Sequence, residues 1–133
     1  MTKTANHNWD VNMPSCCPYM YEYCTGLTGT VSIPATTMAT ACYKGMFVGC
    51  TNITDAVIGA TNINKQECYF RMFLDCTHLS SITVNFTAWQ GSQSTANWVQ
   101  NVATNGVFHA NSTLPIIRGN NNIPQLWVID YTD

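Results

Sequence analysis

Seven cysteines in a chain of 133 residues are the first place to look for chemistry. Closely spaced thiolates bind zinc, facing thiols form disulfides, and a thiolate held by a histidine is a nucleophile. Six of the seven fall in pairs eight residues apart: Cys16 and Cys24, Cys42 and Cys50, Cys68 and Cys76. No C-x-x-C pair occurs, so the usual zinc-knuckle spacing is missing. Eight residues of helix span about 12 Å, too far for a disulfide within a pair. Equivalent cysteines in stacked units lie about 5 Å apart, within Cα range but with side chains in parallel. The spacing therefore favours buried, reduced thiols packing as small apolar residues. An inter-unit disulfide and a metal site are the alternatives. Cys17, the odd one, precedes Pro18 at the exposed first unit and is the candidate reactive or intermolecular thiol.

The other reactive side chains assemble no site. His78 follows Cys76 by two residues, but Cys76 is a repeat position and nothing in the spacing suggests a cleft. His7 and His109 fall in polar surroundings. Asp55, Glu67 and Asp75 are scattered over different units, which does not support a paired acid–base site. Asp55 near Asn52 and Thr54 could join a calcium site, yet no DxDxDG-type loop is present. Asn52-Ile-Thr54, Asn85-Phe-Thr87 and Asn111-Ser-Thr113 would be glycan acceptors only in a eukaryotic secretory context. The expectation is no enzyme, no cofactor and no metal. The aromatics offer more. Tyr21 sits at a core position of the repeat, whereas Tyr19 and Tyr23 flank it and Trp9 lies just ahead. Trp9, Tyr19 and Tyr23 are the candidate partner-binding residues, with a protein contact, a sugar contact and simple end packing as the readings.

These residues are positioned by a repeat. The cysteine pairs recur every 26 residues, as do Met20, Met46 and Met72, then Tyr21, Phe47 and Phe73, then Leu27, Ile53 and Leu79. A fixed period of this length with apolar residues at equivalent sites reads as a leucine-rich-repeat solenoid. In CYKGMFVGC (Cys42 to Cys50) the residues Cys42, Met46, Phe47 and Cys50 fall on one face at helical spacing, and CYFRMFLDC repeats this with Cys68, Met72, Phe73 and Cys76. Each unit is thus expected to be a short helix followed by a short strand, as in Leu79-Ser-Ser-Ile82-Thr-Val84. In the first unit Val31 and Ile33 look like the inward pair, which implies a bulge or slipped register. Further on, Trp98, Val99 and Val102 suggest another helix ended by Gly106. The expected class is α/β: three 26-residue units at 16–86, a polar arm at 1–15 and a C-terminal cap at 87–133. The core is expected to include Cys16, Cys24, Leu79, Trp98, Phe108 and Trp127 besides the two nine-residue segments. The arm is expected to order only on assembly, its composition being too polar to bury much surface alone.

Composition bounds the partners. Charged residues are 9% of the chain and the net charge is −2, with five basic residues. That argues against nucleic acid and against an anionic membrane surface. No run of 18 apolar residues exists to span a bilayer. The first residues lack the apolar run of a secretory signal, so with Met1 as the natural start the general secretory route is not expected.

Cys24-Thr25-Gly26-Leu27-Thr28 and Ile33-Pro34-Ala35-Thr36-Thr37-Met38-Ala39, running into Cys42-Tyr43 and Met46-Phe47, resemble the BspA-like leucine-rich repeats of gut bacterial surface proteins and of phages infecting such bacteria. Trp98, Val99, Val102, Gly106, Phe108, Gly119, Ile123, Pro124, Trp127 and Val128 match that family's terminal segment. The second unit departs from the pattern, with Gly59-Ala60-Thr61-Asn62-Ile63 in place of Pro-Ala-Thr-Thr-Leu. The resemblance implies a binding or scaffold role and supplies no catalytic residues. The function it points to is a structural or host-contacting phage virion component, either head decoration or tail-associated; the alternative is a bacterial cell-surface adhesion domain. Expected partners are other virion or surface proteins, further copies of the chain and a host-surface ligand.

Overall fold

The computed structural model describes residues 2–3, 9–10, 18–34, 36, 40–91 and 93–133, with the backbone alone at 2–3 and 9–10. Seven short strands form one sheet: β1 (Thr2–Lys3), β2 (Trp9–Asp10), β3 (Gly29–Ile33), β4 (Ile53–Ile58), β5 (Ser81–Val84), β6 (Val107–Ala110) and β7 (Val128–Tyr131). They lie side by side in sequence order. β1 runs antiparallel to β2, and every later pairing is parallel. Parallel neighbours need a long return path, and here that path is the remainder of each coil. Asp55 pairs with Ser81 and Ser81 with Val107, so the 26-residue period is the length of one coil. The molecule is a parallel β-solenoid of about four turns.

The helix half of each unit is not there. No helix occurs among the described residues, which corrects the α/β leucine-rich-repeat expectation, including the helix at Trp98–Val102. The segments 40–50, 66–76 and 93–101 are instead ribbons of consecutive turns. Every fourth residue has positive φ: Ala41, Gly45 and Gly49; Glu67, Arg71 and Asp75; Gln93, Asn97 and Asn101. A right-handed helix cannot pass through such residues. Alternate N–H groups close turns within the ribbon, as Met46 to Tyr43 O and Cys50 to Phe47 O. The intervening ones cross to the next coil: Tyr43 to Cys68 O (2.9 Å), Phe47 to Met72 O (3.0 Å), Phe73 to Trp98 O (2.9 Å). A helix would spend all these donors on itself; the ribbon uses half of them to join coils.

The core lies between sheet and ribbon. Cys42, Met46, Phe47 and Cys50 are buried, and so are Cys68, Met72, Phe73 and Cys76. Leu79, Trp98, Phe108 and Trp127 are buried as well. Cys24 is half-buried in the first coil, and Cys16 and Cys17 lie outside the described residues. Aromatic rings stack along the solenoid axis, Tyr21 on Phe47 at 6.1 Å and Phe47 on Phe73 at 5.8 Å between centroids. A second stack runs Tyr43, Tyr69, Trp98. Val31 and Ile33 are the buried pair of β3, and the pairing with β4 shifts register between Gly29 and Thr30. The bulge lets β3 keep its apolar residues inward although its spacing differs from later coils.

The coil geometry runs on past residue 87. The 93–101 ribbon accepts the lateral bonds of the 66–76 ribbon, with Ser94 and Thr95 in place of Cys68 and Tyr69. Both hydroxyls are buried and satisfied: Ser94 Oγ donates toward Lys65 O and Gly91 O, and Thr95 Oγ1 to Asn121 O. Residues Thr2–Lys3 and Trp9–Asp10 of the arm extend the sheet beyond β3; the remainder of the arm lies outside the described residues.

Candidate interaction surfaces

The thiols lie where they do least chemistry. Cys50 Sγ–H donates to Tyr21 O and Cys76 Sγ–H to Phe47 O, both at 3.0 Å, each reaching to the coil before. Burial pushes the Cys50 and Cys68 thiols up to about 11, and Cys76 higher still. At neutral pH such a thiol is ionised about once in ten thousand molecules, too rarely for a nucleophile. Cys24, Cys50, Cys68 and Cys76 are free thiols. Among the described residues no three His, Cys, Asp or Glu side chains could hold a metal ion together.

Several of the other titratable groups are engaged locally. His78 is exposed, and its Nδ1 bonds Thr51 O at 2.6 Å while Cys76 faces the core. A carbonyl only accepts, so Nδ1 carries the proton. Asp55 accepts from Thr54 Oγ1, Asp75 accepts from Asn101 Nδ2, and Glu67 pairs with Lys44 at 3.3 Å. His109 meets Asp130 at 2.9 Å on the outer face of the sheet. Glu67 and Asp75 share one ribbon but are held by different partners, Lys44 and Asn101.

Tyr19 and Tyr23 both lie on the outer face of the first ribbon. Tyr19 is half-buried with its ring over Gly45; Tyr23 is 65% exposed with its ring over Gly49. Two glycines without Cβ atoms open the floor on which the rings rest. On the next coils the same columns hold Arg71 and Asp75. There Lys44 and Arg71 approach the Phe70 ring, at 5.1 and 4.9 Å from its centroid. The backbone of Trp9 lies in β2 opposite Val31, and its side chain is outside the described residues.

The two ends of the solenoid differ. At the first ribbon the carbonyls of Pro18, Met20 and Glu22 accept no hydrogen bond among the described residues, whereas their equivalents Lys44, Met46 and Val48 accept from Tyr19, Tyr21 and Tyr23. Met20 is 51% exposed although Met46 and Met72 are fully buried. Among the described residues, β2 and β1 continue the sheet at this end and nothing continues the ribbon. The last ribbon is closed by the run Gly119-Asn120-Asn121-Asn122, a turn cluster by composition. Asn97 N–H donates to Asn121 Oδ1 (2.8 Å), Val99 N–H to Asn120 O (3.2 Å) and Trp98 Nε1 to Asn122 O (2.8 Å). Arg118 Nη1 holds the loop, donating to Pro124 O, Gln125 O and Trp127 O. Past this cap, Leu126 and Val128 are exposed and β7 has no outer neighbour among the described residues.

Two shallow clefts flank the last ribbon. One is lined by Gln90, Gln93, Ser94, Thr95 and Asn121, with no charged side chain, and the other by Val99, Val102, Asn120 and Leu126. Among the described residues no helix is long and apolar enough to cross a membrane. No family model, curated protein or solved structure matches the chain.

Proposed function

We propose that the chain is a non-enzymatic binding and structural protein, a component of a phage virion, placed as head decoration or in association with the tail. The observation that carries the binding reading is the first coil, where Met20 stands half exposed beside the exposed Tyr23 and beside carbonyls that accept no hydrogen bond among the described residues. An uncovered solenoid end calls for a partner. Trp9, Tyr19 and Tyr23 are the contacts assigned to it, with a second virion protein or another copy of the chain opposite them. The thiols, with their raised pKa values, leave little for a catalytic alternative to use. The virion assignment draws on the BspA-like motif match at Cys24–Phe47 and on a surface dominated by neutral amides and hydroxyls.

The test is mass spectrometry of purified particles. A fixed copy number of this chain per particle is the expected result. Its recovery from washed bacterial envelopes and absence from particles would favour the cell-surface adhesion domain instead, the second reading that the same motif match supports.

A further inference from the structure

A solenoid is a stack of layers related by translation, so each internal interface is the contact of one layer's leading face with another's trailing face. At the first coil the ribbon half of this contact is unmet among the described residues, while β2 and β1 extend the sheet half; at the last coil the ribbon's donors are met by the 119–122 loop, which becomes the outer face. The leading face, at the first ribbon, is all acceptor: the carbonyls of Pro18, Met20 and Glu22 stand two residues apart with no donor among the described residues. Within the molecule the same row is met by backbone N–H groups of the preceding coil. The trailing face offers donors. Asn121 Oδ1 is taken by the Asn97 N–H, which leaves its amide NH2 outward, and Asn120 is exposed beside it. Both faces also carry uncovered apolar side chains: Met20 at 51% on the first, Leu126 at 64% and Val128 at 65% on the second. Exposure of this kind at both ends of a stack marks contact surfaces.

Two leading faces brought together would set acceptor against acceptor. The polarity therefore excludes a two-fold dimer through the first ribbon and matches leading face to trailing face. We infer that the chain associates head to tail with further copies of itself, the Pro18–Glu22 face of one copy seated on the Asn120–Val128 face of the next. Such a heterologous contact leaves one face free at each end, and where copies follow the near-translation that relates the coils it adds them in a row. It deepens the structural reading above by naming the partner as a second copy. It fails on mass in solution, whereas the virion reading fails on particle composition.

Sedimentation velocity of the full chain from about 5 to about 500 μM tests it, a span that brackets contacts of micromolar strength. The weight-average mass is expected to climb with concentration and pass the dimer without a plateau. Met20→Glu spoils the leading face and Val128→Lys the trailing face, and each alone is expected to weaken association at least tenfold. Mixed in equal amounts, the two variants retain one good face of each kind and should form a dimer and stop there. Unchanged thermal unfolding verifies that each variant is folded; Tyr23→Glu and Leu126→Lys replace any that is not. A wild-type chain monomeric over the whole range overturns the inference. So does association that the single substitutions leave untouched, or a mixture of the two variants that stays monomeric.

Discussion

Replacing Gly45 with alanine should distinguish the turn ribbon from a helix by the sign of the effect. Gly45 has φ +58°, and a Cβ built there falls inside the ring of Tyr19, with Cζ at 2.8 Å. Holding alanine in the left-handed region costs about 1–2 kcal/mol. Tyr19 is half-buried in the first ribbon, so its ring can turn aside, giving up roughly 1 kcal/mol of packing. The sum is a loss of about 2–3 kcal/mol, or roughly 6–15 °C in Tm at ~3–5 °C per kcal/mol for a chain of this size. In a helix spanning Cys42–Cys50 the same change would stabilise by about 1 kcal/mol, because glycine is the poorer helix former. Urea titration and thermal melts followed by near-UV circular dichroism measure the difference. A double variant with Tyr19→Ala should recover the packing part, leaving only the backbone part, a coupling of about 1 kcal/mol. An increase in Tm for Gly45→Ala would refute the ribbon.

Four further outcomes follow from the same geometry. Gln93→Gly, at an exposed residue with φ 56°, should raise stability by about 0.5–1 kcal/mol, the reverse of a helix-interior glycine, as read from the urea midpoint. The raised thiols set an alkaline limit: Cys50 and Cys68 stay protonated in the fold up to about 11 but ionise near 9.0 when unfolded. The unfolded chain thus gives up protons first, so stability should be flat below pH 9 and fall progressively from pH 9 to 11, checked by urea midpoints across that window. Arg118→Ala should cost about 1–3 kcal/mol by leaving three carbonyls of the closing loop without their shared donor, with Arg118→Lys recovering only part of it in a thermal melt. Truncation after Phe86 removes β6, β7 and the ribbon that accepts from Phe73 and Asp75, so the product should aggregate on gel filtration; a soluble monomer would contradict this.

The sequence held the coil and hid the path within it. The 26-residue recurrence of Cys50 and Cys76, or of Met46 and Met72, survives as one coil per period because equivalent residues must stack to close the core. The helix was misread for a definite reason. A ribbon of period four and a helix of period 3.6 turn by about 90° and 100° per residue, and over eight steps they diverge by only about 80°. Cys42, Met46, Phe47 and Cys50 share one face in either geometry. The discriminating signal was Gly45 and Gly49, four apart inside a nine-residue segment, each worth about 1 kcal/mol against a helix and at home at positive φ. In the third ribbon Arg71 and Asp75 fill the same places and the signal vanishes. Ser94 and Thr95 keep the period in position while breaking it in chemistry, so the fourth coil went unseen. The asparagines at 120–122 read as a turn, because their use depends on donors of Asn97, Trp98 and Val99, more than twenty residues away.

The backbone hydrogen bonds from ribbon to ribbon all point one way along the chain. The N–H groups of Tyr19, Tyr21 and Tyr23 find their acceptors in Lys44, Met46 and Val48, and those of Tyr43 and Phe47 in Cys68 and Met72. Every ribbon thus depends on residues about 25 positions later in the chain. On a ribosome no coil can complete its bonding when it emerges; it waits for the one behind it. The wait ends at Asn120 and Asn121, which answer the last ribbon without needing an answer themselves. Folding of these coils is then expected to lag synthesis by one coil, the 93–101 ribbon completing its bonds only once the asparagine loop has emerged.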